Sequence, residues 1–406
     1  MAALLLDISR SISRAPYPHP TGIDRVERAY IEHFMQADTP VWFLSRVLKG
    51  YVLLDRAAMQ TIWPMITGKA DWQKKDLIAR LFSHKLPEMV NRAESTLRRL
   101  ACGRSMCAGL ARMLKKSLPR GFTYLNIGHA NRKPALWQAV AAAGAGQKLA
   151  MVHDVIPLDY PGFTRPDTAK RFEDELKATA RACDALIYNS ADSAARTIRW
   201  LDKWGLYPAP LPILLGVEPL PAPLKAPLAE PPAFIMLGTI EPRKNHQLLL
   251  DIWADIPAEL HIVGQRGWQN ERVFNTLDTS PLIGKTIFEH SRLDDRALAS
   301  QLASARALLF PSFAEGFGYP LIEALQMGIP VIASDLPCFH EIAGDLPTYL
   351  PPDDAGGWKE AILAASRTPR ENIPENVGFP TWDQHFAKLE MFLYKAGNPN
   401  QRQAGK

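Results

Sequence analysis

Glu315 and Glu323 are two carboxylates separated by seven residues in the stretch F-P-S-F-A-E-G-F-G-Y-P-L-I-E-A-L-Q-M-G-I-P-V-I-A-S at 310–334. Glu315 lies in a loop with Gly316 and Gly318, and Glu323 lies in the short helix that follows. Such a loop lets backbone N–H groups approach an anion closely, and the helix dipole favours negative charge there. Carboxylates beside the same site would repel phosphate, so they are read as facing hydroxyls. A nucleotide sugar offers both a diphosphate and hydroxyls on its hexose and ribose. Taken singly, each glutamate has a plainer reading. Glu323 can be a first-turn residue gaining a few tenths of a kcal/mol from the dipole, and Glu315 a solvated loop residue.

A second set of charges stands at 238–245, G-T-I-E-P-R-K-N. Arg243 and Lys244 fall just past a strand end and just before a helix. Arginine can grip a diphosphate bidentately while lysine acts as a point charge. A bare Arg-Lys pair would be an exposed basic turn; the preceding Gly238 and Glu241 and the later glutamates make this one a phosphate clamp. His153 and Asp154 end the apolar run 148–152, and carboxyl ends of strands are where doubly wound sheets hold ligands. In the alternative reading His153 is a satisfied buried histidine and Asp154 caps a turn. Gly22, in T-G-I-D-R-V-E-R, suits close approach by a ligand at a strand-to-helix turn, although a lone glycine is more often a simple turn.

The elements that must position these residues alternate between strand and helix. Apolar runs at 2–8, 123–127, 148–152 and 185–188 read as buried strands, with helices over 134–143 and 168–181 and Ser190 as the N-cap of another. Nine prolines between 205 and 232 mark a composition break. A second series follows, with strands at 233–238, 260–264, 287–290, 307–310 and 331–333. Pro320 suits the first turn of its helix, and Gly328 with Pro330 closes it. The run 382–394 reads as an amphipathic helix, and 398–406 as a flexible tail. This predicts α/β architecture: a first domain over 1–212 with a helical insert at about 47–120, a second over 213–380, and a closing helix and tail over 381–406.

The E-x7-E pattern, the Arg-Lys pair and the His-Asp pair together resemble glycosyltransferase family 4, retaining enzymes of the GT-B fold, over roughly 124–365. The resemblance implies two Rossmann-like domains facing each other across a cleft. It implies that Glu315 contacts the donor sugar, Glu323 the nucleotide ribose, and Arg243 and Lys244 the donor phosphates, with His153 near the reacting sugar. Gly238, Gly316, Phe317 and Gly318 would line the donor site, and backbone near Arg292 and Leu293 would border the nucleobase. Gly22 would stand on the first-domain side, but Asp24 replaces a second glycine common there, which turns that loop from diphosphate towards acceptor. Glu341 matches a recurrent position read as structural. The wording T-I-E-P-R-K-N-H and H-D-V-I-P-L-D-Y-P resembles bacterial mannosyl- and rhamnosyltransferases of surface-polysaccharide assembly. The implied reaction moves a hexose, with mannose from GDP-mannose favoured, to a hydroxyl of a glycan or lipid-linked acceptor with retention.

Composition agrees with an ordinary globular chain: 406 residues, 47% hydrophobic and 22% charged. Cys102, Cys107, Cys183 and Cys338 form no C-x2-C pair, which fits a reducing cytoplasm. No run approaches the roughly 20 apolar residues of a membrane span. Between 70 and 120, twelve Lys/Arg face four acids, so this segment carries +8 of a chain whose total is +5. The excess reads as a solvated helix face, or as a helix on anionic lipid beside Leu81, Phe82, Leu100, Met106, Leu110 and Leu114. No nucleic-acid module accompanies it. No Asp-x-Asp triplet is present and no metal or other cofactor is expected. A nucleotide-sugar epimerase and a non-catalytic sugar-binding protein share the expected architecture. An oxidoreductase lacks support because no G-x-G-x-x-G opens a strand–helix unit.

Overall fold

In the computed structural model, residues 2–17, 20–222, 228–291, 293–370, 373 and 378–397 are described. Fourteen strands form two sheets among them. The first holds β1 (Leu4–Asp7), β2 (Val41–Val47), β3 (Gly50–Leu54), β4 (Gly103–Ser105), β5 (Thr123–Asn126), β6 (Gln147–Val152), β7 (Ala185–Tyr188) and β8 (Ala209–Pro212), in the order β4-β3-β2-β1-β5-β6-β7-β8. The second holds β9 (Ala233–Leu237), β10 (Glu259–Val263), β11 (Ile287–His290), β12 (Ala307–Phe310), β13 (Val331–Ser334) and β14 (Thr348–Leu350), in the order β11-β10-β9-β12-β13-β14. Apart from β3 and β4, every pairing is parallel. Helices on both faces bury the central strands completely, which is why residues 4–6 and Ala307–Phe310 read as unbroken apolar runs. The second sheet has the Rossmann strand order, and its order reverses between β9 and β12.

Local chemistry sets the helices that carry the charged residues. Helix Gly22–Gln36 opens with a capping box between Thr21 and Asp24. The Asp24 carboxylate accepts from the Thr21 N–H and hydroxyl, both at 2.8 Å, and pairs with Arg10 at 2.6 Å. Helix Tyr319–Gln326 carries Pro320 in its first turn. Its end is a Schellman motif, with the Ile329 N–H on Ala324 O at 2.9 Å and the Gly328 N–H on Leu325 O at 3.0 Å, Gly328 having φ 70°.

The segment 47–120 departs from the expected helical insert. Besides its helices it supplies β3 and β4, which extend the first sheet by an antiparallel edge. Arg98 is buried, held by Asp76 at 2.6 Å and Glu94 at 3.0 Å, so it belongs to no solvated face. Leu110 and Leu114 are core residues, and Leu100 packs against the core.

Helix Trp382–Gly397 lies against the first domain. Tyr30 Oη and His385 Nε2 are 2.7 Å apart, and the His33 ring stacks on Phe386 at 3.8 Å. Residues 398–406, read above as a flexible tail, lie outside the described residues.

Candidate active site

The turns after β9 and β12 meet at the switch point of the second sheet. After β9 the chain passes Gly238 (φ 133°) into a single turn, Pro242–Lys244, closed by Asn245 in the left-handed region. A side chain at Gly238 would press on Lys244, since an added Cβ would lie 3.1 Å from Lys244 Cε. After β12 come Ser312, Glu315 and the glycines. Lys244 Nζ reaches Glu315 Oε1 at 2.6 Å and stands 4.6 Å from the Phe310 ring centre. Arg243 reaches Glu315 Oε2 at 2.7 Å and Glu241 at 2.7 Å, and donates to Ala314 O at 3.0 Å. The Ser312 hydroxyl donates to Glu315 Oε1 at 2.8 Å.

Two cations and two carboxylates thus face each other, and the cluster has no net charge while all four are ionised. Burial pushes the Glu315 carboxyl up, but Arg243 and Lys244 outweigh it and hold it at about 2. Burial raises Glu241 against the pull of Arg243, so Glu241 is the carboxylate that gives up its charge more readily. A diphosphate arriving here must share the two cations with Glu315. The backbone N–H groups of Gly316, Phe317 and Gly318 are free to help, having no acceptor among the described residues.

The glycine loop presses against the first domain. A Cβ on Gly316 would lie 2.3 Å from His153 O, so only glycine permits this approach. Gly316 O accepts from the Ser190 hydroxyl at 3.0 Å and the Ser193 hydroxyl at 3.1 Å. Ser190 also caps its helix, accepting from the Ser193 N–H at 3.0 Å. Glu341 caps the same helix from the other domain, taking the Ala191 N–H at 2.7 Å. His153 is buried, and its Nε2 bonds Ile127 O at 2.8 Å, so Nε2 carries the proton and Nδ1 keeps its lone pair. Burial lowers its pKa to about 3, which makes it neutral at physiological pH.

Glu323 is buried and paired across the cleft with Arg25, whose guanidinium lies 4.5 Å from the Tyr319 ring centre. Burial pushes the Glu323 carboxyl up, and Arg25 offsets only part of that. Gly22 faces the edge of Tyr319, which an added Cβ would meet at 3.4 Å. Leu293 is half-buried, next to Asp294, the N-cap of helix Asp295–Ser304; Arg292 lies outside the described residues. Phe317 is a core residue, edge-on to Tyr319. Among the described residues no group of three or more His, Cys, Asp or Glu is arranged to hold a metal ion.

A family model described as Glycosyl transferases group 1 matches residues 225–376, which include Gly238, Arg243, Lys244, Glu315 and Glu323. These residues are a group 1 glycosyltransferase domain. The resemblance to family 4 is borne out on that match. Among curated relatives, a serotype-specific mannosyltransferase WbdA of Escherichia coli is 28% identical over 94% of this chain and 44% of its own length. The O-antigen chain mannosyltransferase B of Escherichia coli is 28% identical over 52% of this chain and 59% of its own length. The chain therefore spans less than half the length of that WbdA and about three fifths of mannosyltransferase B. Anabaena HepE, crystallised with UDP and glucose, superposes with a TM-score of 0.65 at 14% identity, over 97% of this chain and 100% of its own. That likeness concerns the fold, which is GT-B.

The fold brings Gly238, Arg243, Lys244, Glu315, Gly316 and His153 to one place. It sets Glu323 with Arg25, Tyr319 and Gly22 at a second point of the group 1 domain's border with the first domain. Sequence reading missed Arg25, Ser193 and the pairing of Glu315 with the clamp. Arg25 stood in the quoted T-G-I-D-R stretch, and its charge beside a cleft glycine was the available signal.

Proposed function

We propose that the chain transfers a hexose from a nucleoside diphosphate sugar to a hydroxyl, with retention at the anomeric carbon, in the cleft between its two domains. The observation that carries this reading is the meeting of Arg243, Lys244 and Glu315 at the switch point of the second sheet, with Gly316 against His153. As the bond from the anomeric carbon to the β-phosphate breaks, its electron pair goes to the phosphate. Arg243, Lys244 and the free N–H groups of Gly316, Phe317 and Gly318 would stabilise that charge. Glu315 would orient the sugar, Glu323 would take the ribose once Arg25 is displaced, and the Nδ1 lone pair of His153 would accept from a sugar hydroxyl. Leu293 would border the base. The named relatives are mannosyltransferases, which supports mannose as the sugar; the donor would be GDP-mannose and the acceptor a glycan or a lipid-linked saccharide. The test is a donor screen following nucleoside diphosphate release from GDP-, UDP-, dTDP- and ADP-sugars, with and without glycan acceptors. Release from none of them would sink the reading, and release without transfer but with an altered sugar would make it an epimerase.

A lipid-linked acceptor calls for contact with a membrane, and no helix among the described residues is long and apolar enough to cross one. Leu77, Leu81 and Met106 are exposed on the first domain. Lys49 and Lys85 lie 4.0 Å and 5.4 Å from the Phe82 ring centre, and Met106 backs onto Gly50 beside Lys49. These exposed apolar side chains, with Lys49 and Lys85 beside Phe82, suit reversible contact with anionic lipid.

A further inference from the structure

Three successive carbonyls of the glycine loop are each held by a side chain. Ala314 O accepts from Arg243 at 3.0 Å, and Glu315 O accepts from the Cys338 thiol at 3.5 Å. Gly316 O accepts from the hydroxyls of Ser190 and Ser193, at 3.0 Å and 3.1 Å. Arg243 and Cys338 belong to the second domain. Ser190 and Ser193 belong to the first, where they stand buried at the start of helix Ala191–Lys203. The Ser193 hydroxyl also lies 3.2 Å from His153 O. The grip is returned from the second domain by Glu341, in helix Pro337–Ala343, which takes the Ala191 N–H at 2.7 Å and the Asp192 N–H at 3.3 Å.

The peptide between Gly316 and Phe317 needs such a hold. A peptide plane beside glycine turns over easily, because glycine has no Cβ to restrict its dihedral angles. The plane is trans, so its C=O and N–H point in opposite directions. The two serines that hold Gly316 O therefore also set the direction of the Phe317 N–H, which has no acceptor among the described residues. Turned over, the same peptide would present a carbonyl oxygen in place of that N–H. For a phosphate, attraction would become repulsion.

We propose that Ser190 and Ser193 are positioning residues of the diphosphate site: hydroxyls of the first domain that hold the Gly316–Phe317 peptide with its N–H towards the β-phosphate. The phosphate-binding loop of the second domain is then complete only while the first domain is in contact with it. The inference rests on the transferase reading above for the presence of a diphosphate, and adds which groups outside the loop make the loop fit to bind one.

The test is calorimetry on the full chain with GDP and GMP, UDP and UMP, dTDP and dTMP, and ADP and AMP. The base whose nucleotides bind most tightly is carried forward. Its two nucleotides share base, ribose and α-phosphate, so the ratio of their affinities reports contact with the β-phosphate. Ser190→Ala/Ser193→Ala lowers that ratio by about tenfold, the size of one lost hydrogen bond to a charged group, and leaves monophosphate affinity within about twofold. Ser193→Ala keeps the Ser190 cap on the helix and lowers the ratio by about threefold. General loosening of the fold would weaken both nucleotides alike and leave the ratio where it was. A ratio unchanged in both variants, or equal loss of both nucleotides, overturns the proposal and leaves the Arg243–Lys244 clamp standing. Wild-type protein that binds no diphosphate more tightly than its monophosphate removes the diphosphate site and the proposal together. A ratio that falls in the variants of a protein that turns over no donor keeps the positioning role and removes the transferase reading.

Discussion

At Glu315, removing either cation has two separable consequences. Arg243→Ala and Lys244→Ala should each lower turnover by about one to three orders of magnitude, the range for a lost transition-state donor. Each also leaves a buried carboxylate short of a partner, a change that costs about 3–5 kcal/mol when a buried pair is broken. The double variant Lys244→Met/Glu315→Gln should recover much of that stability and none of the turnover, read by urea unfolding beside steady-state rates. Wild-type turnover in a folded single variant would remove the clamp. A second buried carboxylate gives a pH test. Glu27 Oε2 accepts from the Ser11 N–H at 2.8 Å and hydroxyl at 2.6 Å, while Oε1 has no hydrogen-bond partner among the described residues. Burial pushes its pKa up to about 8 from an ordinary 4.5. The folded state therefore binds the extra proton between those values, and wild-type stability from this group is full below 4.5 and is lost as pH rises through 8. Glu27→Gln cannot ionise, so its stability relative to wild type should rise between pH 5 and 8 by up to about 1.4 kcal/mol per unit, then level off. A difference that stays flat with pH would show that Glu27 is ionised in the folded state.

Helices Gly22–Gln36 and Tyr319–Gln326 meet through Arg25 and Glu323, a pairing any ligand of Glu323 must break. A site open for only a fraction of the time binds with affinity reduced by that fraction. Arg25→Met should therefore raise affinity for the nucleoside diphosphate several-fold in calorimetry; a fall would mean that Arg25 itself grips the nucleotide. This pairing was hidden in the sequence because its members are 298 residues apart. What was legible follows the same logic. Strands β7, β9 and β12 are continuous apolar runs because parallel strands are covered on both faces, and their ends, like those of β5 and β6, fell within a residue or two of the reading. The segment 47–120 resisted because β3 and β4 form an antiparallel edge and a count of charges along the chain cannot see partners. Arg98 looked like part of a basic face, yet Asp76 sits 22 residues away in sequence and against it in space. The motif residues themselves were readable, but not that Glu315 already occupies both cations.

Across the whole molecule, the exposed apolar side chains of the first domain, with Lys49 and Lys85 close by, make a prediction of their own. Each basic residue near an anionic leaflet contributes about 1 kcal/mol, screened within about 10 Å at moderate salt. Binding to vesicles containing anionic lipid should fall with salt and disappear in Lys49→Glu/Leu81→Asp/Lys85→Glu, while neutral vesicles bind little. Equal sedimentation with both kinds, or with neither, would return the patch to ordinary surface. The closing helix has a consequence of another kind, in the order of synthesis. Tyr30 in helix Gly22–Gln36 waits for His385, 355 residues later in the chain. At about 5–20 residues per second the interval on the ribosome is roughly 20–70 s. Through all of it the aromatic face of Tyr30, His33 and Phe34 lacks the cover that Phe386 provides in the finished protein. The first domain is thus made first and sealed last. A nascent chain stalled anywhere before residue 382 presents that face to chaperones, or to another nascent chain on the same message.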